Sequence, residues 1–235
     1  EMTSGEFTIK GNISSQFITG LLYTLPLLDG DSEIVIKGPL ESKGYVDLTL
    51  KILEMAGIEV KNNDYKSFLI KGNQTYKGFD YTVEGDYSQV AFWIVAGILS
   101  EEINCKNVYK DSLQGDRAIV EIVQRMGANL EINDKNIKVF PGKTKGTVID
   151  VSQCPDIAPV LTVLAALSEG ETRIINAERL RIKESDRITS MRTELNTLGA
   201  DIREEGDTLV INGVDELEGG VTVDSWNDHR VAMAL

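Results

Sequence analysis

Residues 119–132, IVEIVQRMGANLEI, contain the pattern on which the fold prediction rests. The apolar positions follow the i, i+3, i+4, i+7 spacing of one buried helical face: Ile119, Ile122, Val123 and Met126. Gly127 then supplies the usual left-handed helix stop, and an apolar-alternating segment follows it. The stretch therefore predicts an amphipathic helix that ends at a glycine and leads into a strand.

The same pattern occurs twice more in the chain. Gly57 and Gly199 end similar amphipathic stretches, and the three glycines are 70 and 72 residues apart. A second, more uniformly apolar series of helices is predicted to be buried and to begin near Ser14, Ser88, Pro155 and Asn227. Short alternating segments such as SEIVIKG, SFLIKG, NIKVF and TLVING predict the strands between them. The chain is therefore predicted to be an internal repeat of about seventy residues.

Each predicted repeat has the order strand, buried helix, strand, amphipathic helix, strand, strand. The predicted units are residues 8–70, 81–140 and 147–212, with a fourth beginning at 221. Such units cannot bury their sheets alone and must pack against neighbours. We therefore predict an α/β (α+β) protein of two domains, with one unit in residues 1–83, and with two units and the start of a third in residues 84–235.

The composition excludes several functional classes. There are 37 acidic against 24 basic residues, a formal net charge of −13, which disfavours binding to nucleic acid or to anionic membranes. Cys105 and Cys154 do not form a zinc-binding pattern, and reduced thiols are expected. No apolar stretch is long enough to span a bilayer, and no signal peptide is visible. We predict a cytoplasmic protein that binds no metal.

Polar residues cluster where the predicted helices begin. The first backbone N–H groups of a helix have no intrahelical partner, so such ends bind anions readily. Ser14, Ser15 and Gln16 open the first helix and suit phosphate or sugar oxygens. The alternative is that Ser14 only caps the helix. Asp156, which follows a proline at a buried helix start, is either a cap or a general base.

Two further helix starts carry cations. If the helix has begun by then, Lys183 and Arg187 share a face, with Glu184 beside Arg187. Two cations that flank a carboxylate can hold an anionic substrate while the acid moves protons, whereas the alternative is a surface salt-bridge cluster. His229, the single histidine, precedes Arg230 at the last predicted helix start, and the alternative is an isolated surface histidine.

Taken in order, GNISSQF, SKGYVDLTL, RIKESDRI and NDHRVAMA resemble the 5-enolpyruvylshikimate-3-phosphate synthase (3-phosphoshikimate 1-carboxyvinyltransferase) family. The resemblance covers essentially the whole chain, and KESDR followed about forty residues later by NDHR is highly specific. The related UDP-N-acetylglucosamine enolpyruvyl transferases differ at both motifs. The resemblance implies βαβαββ units in the inside-out α/β barrel (prism) arrangement of enolpyruvyl transferases.

The resemblance also implies an activity. Family members transfer the enolpyruvyl group of phosphoenolpyruvate to the 5-hydroxyl of shikimate 3-phosphate and release phosphate, in the shikimate pathway of aromatic amino acid biosynthesis. No cofactor is implied, and a monomer is expected. The family's other lysine and arginine motifs are absent, so we expect an internal fragment that is inactive alone. The alternatives are a non-catalytic module that binds a phosphorylated metabolite and a UDP-N-acetylglucosamine enolpyruvyl transferase.

By position, the resemblance assigns substrate binding to nine residues: Ser14, Ser15, Gln16, Ser42, Tyr45, Asp156, Lys183, Arg187 and Arg230. It assigns catalytic roles to three: Asp156, Glu184 and His229. Asp156 would accept the hydroxyl proton, and Glu184 would handle protons at the methylene carbon. Arg187 and Arg230 would clamp phosphoenolpyruvate, and His229 would stabilise developing charge. Arg179, which stands where the family often has a small polar residue, is left out of the site.

Overall fold

A computed structural model describes residues 2–235. The chain divides into two compact units. The first contains the described residues up to Val83 together with Leu113–Gly115, and the second contains Glu84–Ser112 and Asp116–Leu235. Each unit has its own cluster of buried apolar side chains. The units are therefore described separately.

The first unit is one βαβαββ repeat. Its elements are β1 (Glu6–Lys10), α1 (Ser15–Thr24), β2 (Ser32–Lys37), α2 (Lys43–Met55), β3 (Val60–Asn63) and β4 (Ser67–Ile70). The sheet has the order β1-β2-β4-β3, with β1 and β2 parallel and the other pairs antiparallel. Alternate residues of β2, including Ile34 and Ile36, are buried beneath the helices, as the period-2 pattern requires.

The second unit contains this arrangement once without its first strand and once complete, followed by one further helix. Its elements are α3 (Tyr87–Leu99), β5 (Ile103–Lys106), α4 (Ala118–Arg125), β6 (Asn129–Ile132), β7 (Asn136–Phe140), β8 (Val148–Asp150), α5 (Ala158–Ala166), β9 (Glu171–Ile175), α6 (Arg187–Thr197), β10 (Asp201–Glu205), β11 (Thr208–Asn212) and α7 (His229–Ala234). Its sheets have the orders β5-β7-β6 and β8-β9-β11-β10. The second of these has the same strand order as the sheet of the first unit.

The three glycines stop their helices as predicted. Gly57, Gly127 and Gly199 have φ angles of 77°, 94° and 88° and follow α2, α4 and α6 closely. Only a residue without a Cβ atom adopts this left-handed conformation at little cost. The near-constant spacing of these glycines therefore reflects a repeat in the fold, and the α/β prediction is confirmed.

Three details differ from the sequence prediction. The strands expected at the starts of the units near residues 81 and 221 do not form. Near the first of these positions the backbone N–H of Gly85 does donate to Asn107 O, over 2.7 Å. Helix α1 is also less buried than predicted. Its buried residues are Ile18 and Leu22, whereas the side chain of Phe17 is 61% exposed. Helices α3 and α5, by contrast, bury most of their residues in the apolar core of the second unit. None of the described helices combines the length and apolar character needed to cross a membrane.

Candidate active site

In the first unit, the predicted ligands lie where α1 and α2 begin. Ser14 precedes α1 with extended backbone, and its Oγ accepts a hydrogen bond from the backbone N–H of Gln16 over 3.3 Å. Ser14 therefore caps the helix, as the simpler alternative held. Ser15 is half-buried and Gln16 is exposed at the same helix end. Both residues belong to the first turn of α1.

The two helix starts are held at one edge of the sheet. Gly11 N donates to Lys37 O over 3.0 Å, and Glu41 N donates to Gly11 O over 3.1 Å. A Cβ atom at Gly11 would lie 2.5 Å from Pro39 O, so only glycine allows this close approach. Because β1 and β2 are parallel, the loops that follow them meet at the carboxyl ends of both strands, where α/β proteins commonly bind ligands.

Ser42 and Tyr45 occupy the start of α2 at this edge. Ser42 is buried in a left-handed conformation with φ of 54°, and its side chain does not cap the helix. The Oγ1 of Thr49 donates to Tyr45 O and lies 3.1 Å from the Oγ1 of Thr19, which links α2 to α1. The first unit therefore brings Ser14, Ser15, Gln16, Ser42 and Tyr45 to one edge of its sheet.

In the second unit, Asp156 is the centre of a charged cluster. It lies in the 3₁₀ turn Pro155–Ile157, ahead of α5, and its side chain caps no helix. The capping alternative for Asp156 is therefore wrong. Its Oδ1 lies 3.2 Å from Lys183 Nζ and 2.9 Å from Arg187 Nη1, and its Oδ2 lies 3.6 Å from Arg230 Nη2. Three predicted cations thus converge on one predicted base.

The helix that carries Arg187 begins after Lys183, one residue before the first apolar position of its pattern, Ile188. Residues Glu178–Ile182 form a 3₁₀ segment, Lys183 is extended, and α6 begins at Arg187. The reason is Asp186, whose Oδ1 accepts the backbone N–H groups of Ile188 and Thr189 and so fixes the helix start. The condition under which Lys183 and Arg187 would share a helical face is therefore not met. Glu184 still pairs with Arg187, at 2.6 Å, from the preceding loop.

Arg187 is buried among carboxylates. Its side chain is 1% exposed, and it donates to Asp228 from Nε over 2.8 Å, as well as to Asp156 and Glu184. Burial alone would lower the pKa of Arg187, but the hydrogen bond and the charge of Asp228 raise it instead. The cluster is therefore an internal ion network, and the surface salt-bridge alternative is wrong for Arg187.

Asp228, which the sequence reasoning did not single out, joins the two motifs. It caps α7 by accepting the N–H of Arg230 over 2.9 Å, and it also accepts a hydrogen bond from Ser185 Oγ over 3.0 Å. Burial alone would raise its pKa, but the hydrogen bonds from Arg187 and from the N–H of Arg230 lower the pKa to about 2. The signal available in the sequence was its position directly before the last predicted helix.

Arg230 projects from α7 toward Asp156. Its side chain is 11% exposed, and Nη2 also donates to Ser88 Oγ, over 3.2 Å. Its Nη1 atom is buried and has no hydrogen-bond partner among residues 2–235. A buried donor without a partner is uncommon in folded proteins, and in a cluster of this kind it suits an anionic ligand. Ser88, a buried residue of α3, was also missed as a member of the cluster.

His229 and Glu184 lie at the exposed side of the cluster. The side chain of His229 is 52% exposed, and its Nδ1 lies 3.9 Å from Asp228 Oδ1. Glu184 is exposed to a similar extent. The structure places both residues next to the network but gives neither a buried position, so their catalytic roles stay predictions. Arg179, which was left out of the site, is buried and donates from Nη1 to Ser152 O over 3.5 Å.

The charges of the cluster determine the ionisation of Asp156. Burial alone would raise the pKa of Asp156, but three neighbouring cations, with Lys183 contributing most, lower it below its ordinary value. Asp156 is therefore a carboxylate at neutral pH. Lys183, Arg187 and Arg230 face three acids, namely Asp156, Glu184 and Asp228, so the cluster has no net charge before a ligand binds. Within residues 2–235, no group of three or more His, Cys, Asp or Glu side chains is arranged to hold a metal ion.

Comparison with known proteins gives one family. The family model for EPSP synthase (3-phosphoshikimate 1-carboxyvinyltransferase) matches residues 1–235. Curated relatives called 3-phosphoshikimate 1-carboxyvinyltransferase include one from Clostridium perfringens, 60% identical over 235 residues, and one from Clostridium novyi, 58% identical. Both matches cover 100% of this chain but only 55% and 54% of the relatives, so the chain spans about half of their length.

The solved structures agree on the fold. An EPSP synthase from Acinetobacter baumannii matches 100% of this chain and 55% of its own chain, with a TM-score of 0.79 and 24% identity. A second structure of an EPSP synthase from that organism has a TM-score of 0.78. The predicted enolpyruvyl transferase fold is therefore confirmed. With the family model matching from end to end, the chain belongs to the EPSP synthase (3-phosphoshikimate 1-carboxyvinyltransferase) family.

Proposed function

We propose that this chain provides part of the active site of a 3-phosphoshikimate 1-carboxyvinyltransferase. Such an enzyme transfers the enolpyruvyl group of phosphoenolpyruvate to the 5-hydroxyl of shikimate 3-phosphate. The observation that carries the proposal is the convergence of Lys183, Arg187 and Arg230 on Asp156. Phosphate and carboxylate groups are suited to such a set of cations, and guanidinium groups bind both in a bidentate manner.

The proposed reaction has two steps. In the first, the hydroxyl oxygen bonds to C2 of phosphoenolpyruvate, the methylene carbon gains a proton, and the hydroxyl proton passes to Asp156. In the second, the new methyl carbon loses a proton, the bond between C2 and the phosphate oxygen breaks, and inorganic phosphate leaves. Glu184, exposed beside Arg187, would exchange the proton at this carbon. His229 would stabilise the charge that develops in between.

The three cations are not equally available to a substrate. Arg187 is almost fully buried and engaged with carboxylates, so its first role is to hold the network together. Arg230 has a buried Nη1 atom without a partner, and Lys183 is partly exposed. We therefore expect Arg230 and Lys183 to leave Asp156 and to bind an incoming phosphate or carboxylate group. Arg187 would bind this group only after its ion pair with Glu184 has broken.

This exchange would make Asp156 a stronger base. With its cations in place, the lowered pKa of Asp156 makes it a weak proton acceptor. An anionic substrate that draws Lys183 and Arg230 away removes the charges that lower this pKa. The base would thus gain strength only when the substrate is bound, which is when the hydroxyl proton has to be taken.

The first unit would hold the other substrate. We propose that Ser14, Ser15 and Gln16 bind shikimate 3-phosphate at the start of α1, where free backbone N–H groups favour an anion. Ser42 and Tyr45 would contribute from the start of α2. In this proposal, residues 1–83 belong to the phosphoshikimate-binding domain and residues 84–235 to the second domain. A cytoplasmic monomer remains our prediction.

The test is a phosphate-release assay on a chimera. In it, this chain replaces the matching segment of the Clostridium perfringens relative, to which it is 60% identical. We expect turnover from the chimera and none from the 235-residue chain alone. Arg230→Ala should raise the KM for phosphoenolpyruvate and lower kcat, and Glu184→Ala should lower kcat at least a hundredfold. Arg125→Ala, an exposed change in α4, is the matched control.

Two outcomes would reject the proposal. Wild-type kinetics for both Arg230→Ala and Glu184→Ala would remove these residues from the site. A chimera that binds shikimate 3-phosphate in a calorimetric titration but releases no phosphate would favour a binding module instead. Parallel titration with UDP-N-acetylglucosamine, for which we expect no binding, tests the related transferase activity.

A further inference from the structure

The turn before α7 has an unusual backbone. Trp226 and Asn227 have φ angles of 55° and 53°, and the N–H of Asp228 donates to Ser225 O over 3.0 Å. Positive φ angles at both central residues of a turn closed by such a hydrogen bond define a type I′ turn, whose central residues are normally Gly, Asn or Asp. Tryptophan in this conformation is strained and persists only if its surroundings hold it. The contacts of this turn therefore indicate what positions α7.

Glu194 of α6 holds the strained turn. Its Oε1 accepts the indole Nε1–H of Trp226 over 2.7 Å, and its Oε2 accepts the backbone N–H of Asp224 over 3.0 Å. The Oδ1 of Asp224 in turn accepts the backbone N–H of Trp226 over 2.7 Å. Glu194 is buried and forms no ion pair with a lysine or arginine in the described part of the chain. Its carboxylate is therefore dedicated to this turn.

The turn is thus fixed to α6 at two points. Arg187, in the first turn of α6, binds Asp228 at the end of the segment, and Glu194 binds Trp226 in its middle. The two α6 residues are seven positions apart, which places them on the same helical face two turns from each other. Helix α7 has only six residues, so its direction depends on how this preceding turn is held.

We propose that Glu194 is a positioning residue for Arg230, and this inference rests on the proposed function. By fixing Trp226, Glu194 sets the position at which α7 begins and hence where the guanidinium of Arg230 lies against Asp156 and Ser88. Glu194 itself does not touch the substrate. Loss of its carboxylate lets the turn relax toward ordinary backbone angles and moves Arg230, while leaving the start of α1 in the first unit unchanged.

The test is Glu194→Gln in the chimera described above. Glutamine has nearly the same shape, but only one oxygen is left to accept two N–H groups, and its amide group faces a donor. We expect the KM for phosphoenolpyruvate to rise at least tenfold and the KM for shikimate 3-phosphate to change less than twofold. Glu101→Gln, an exposed change just after α3, is the matched control. A purely structural defect would lower kcat through loss of active protein and leave both KM values alone.

Trp226→Phe provides the second arm, because it removes the indole donor and keeps the carboxylate. It should raise the KM for phosphoenolpyruvate at least threefold, and Glu194→Gln should have a smaller effect in that background than alone. Unchanged KM values for phosphoenolpyruvate, equal rises for both substrates, or fully additive effects would overturn the proposal. If Glu194→Gln does not fold, the two KM values of Trp226→Phe decide: a rise for phosphoenolpyruvate alone supports the proposal, and unchanged or equally raised values overturn it.

A separate measurement distinguishes failure of this inference from failure of the proposed function. The chain has two tryptophans, Trp93 and Trp226, so a Trp93→Phe background isolates Trp226 fluorescence in the 235-residue chain. Adding Glu194→Gln should shift the emission maximum to longer wavelength and increase quenching by acrylamide. If the wild-type chimera is inactive but this shift occurs, the proposed function fails while Glu194 still positions the turn. No shift overturns the positioning role itself.

Discussion

Replacing Asp228 by asparagine tests whether its charge organises the cluster in the second unit. Asparagine caps helices as well as aspartate does, so the start of α7 should be preserved. The variant loses the carboxylate that accepts Arg187 Nε over 2.8 Å and Ser185 Oγ over 3.0 Å. Removing one partner of a buried ion pair costs about 3–5 kcal/mol. Because two other carboxylates remain beside Arg187, we expect a loss at the lower end, about 3 kcal/mol at pH 7.

The same change should alter the pH dependence of stability. The pKa of Asp228 is lowered from 3.8 to about 2 in the folded protein, so its ionisation stabilises the fold above pH 3.8. This contribution is lost as the pH falls through the folded pKa, and it is about 1 kcal/mol smaller at pH 3 than at pH 7. Asparagine does not titrate. The difference between the wild type and the variant should therefore shrink by about 1 kcal/mol over this range.

Urea denaturation followed by tryptophan fluorescence measures both effects. Trp93 and Trp226 both belong to the second unit, so the signal reports on the unit that contains Asp228. Asp134→Asn, which removes an exposed pair with Lys110, is the matched control and should change little. An Asp228→Asn variant within about 1 kcal/mol of the wild type at pH 7, with the same pH profile, would refute the reasoning.

Three further predictions concern other parts of the chain. Gly11→Ala should lower the stability of the first unit by about 1–3 kcal/mol in thermal unfolding followed by circular dichroism, because its Cβ would lie 2.5 Å from Pro39 O; an unchanged midpoint would contradict this. Burial raises the pKa of the Cys154 thiol to about 12 and also raises that of Cys105. Both thiols should therefore react with a disulfide reagent at pH 8 at least tenfold faster in urea than in buffer, and fast labelling without denaturant would contradict this. Arg181→Lys should lower the free energy of unfolding by about 1 kcal/mol in urea titrations, because lysine cannot reproduce a guanidinium group bonded to three carboxylates and a backbone carbonyl; equal stability at low salt would reject this.

Much of the fold could be predicted from local patterns. A helix that ends at Gly57, Gly127 or Gly199 requires only an apolar face and one residue that tolerates a positive φ, and both are readable in the sequence. The strand expected near residue 81 did not form, because strand formation depends on pairing along a whole edge. There the backbone makes one bond to Asn107 and does not extend the sheet.

The sequence identified several residues of the candidate site but not the local backbone structure around them. The motif residues Asp156, Lys183 and Arg230 were identified by their types and order, and the structure brings them together in the second unit. Two alternatives that the sequence left open, a cap at Asp156 and a helix that has begun by Lys183, do not hold in the structure, because each depends on which of several nearby polar groups binds a backbone N–H. Asp186 captured them for α6.

The amino-acid sequence by itself determined the repeat, the family resemblance and the kinds of side chain that meet substrates, since these depend on residue type, period and order. Tertiary structure alone decided that Arg187 is buried, that Asp228 joins the two motifs, and that Glu194 holds the turn at Trp226. The physical reason is that burial and ion pairing depend on distances between segments far apart in the chain. The sequence does not indicate that Glu194, seven residues after Arg187 in α6, pairs with Trp226, because the two residues come together only when the chain folds.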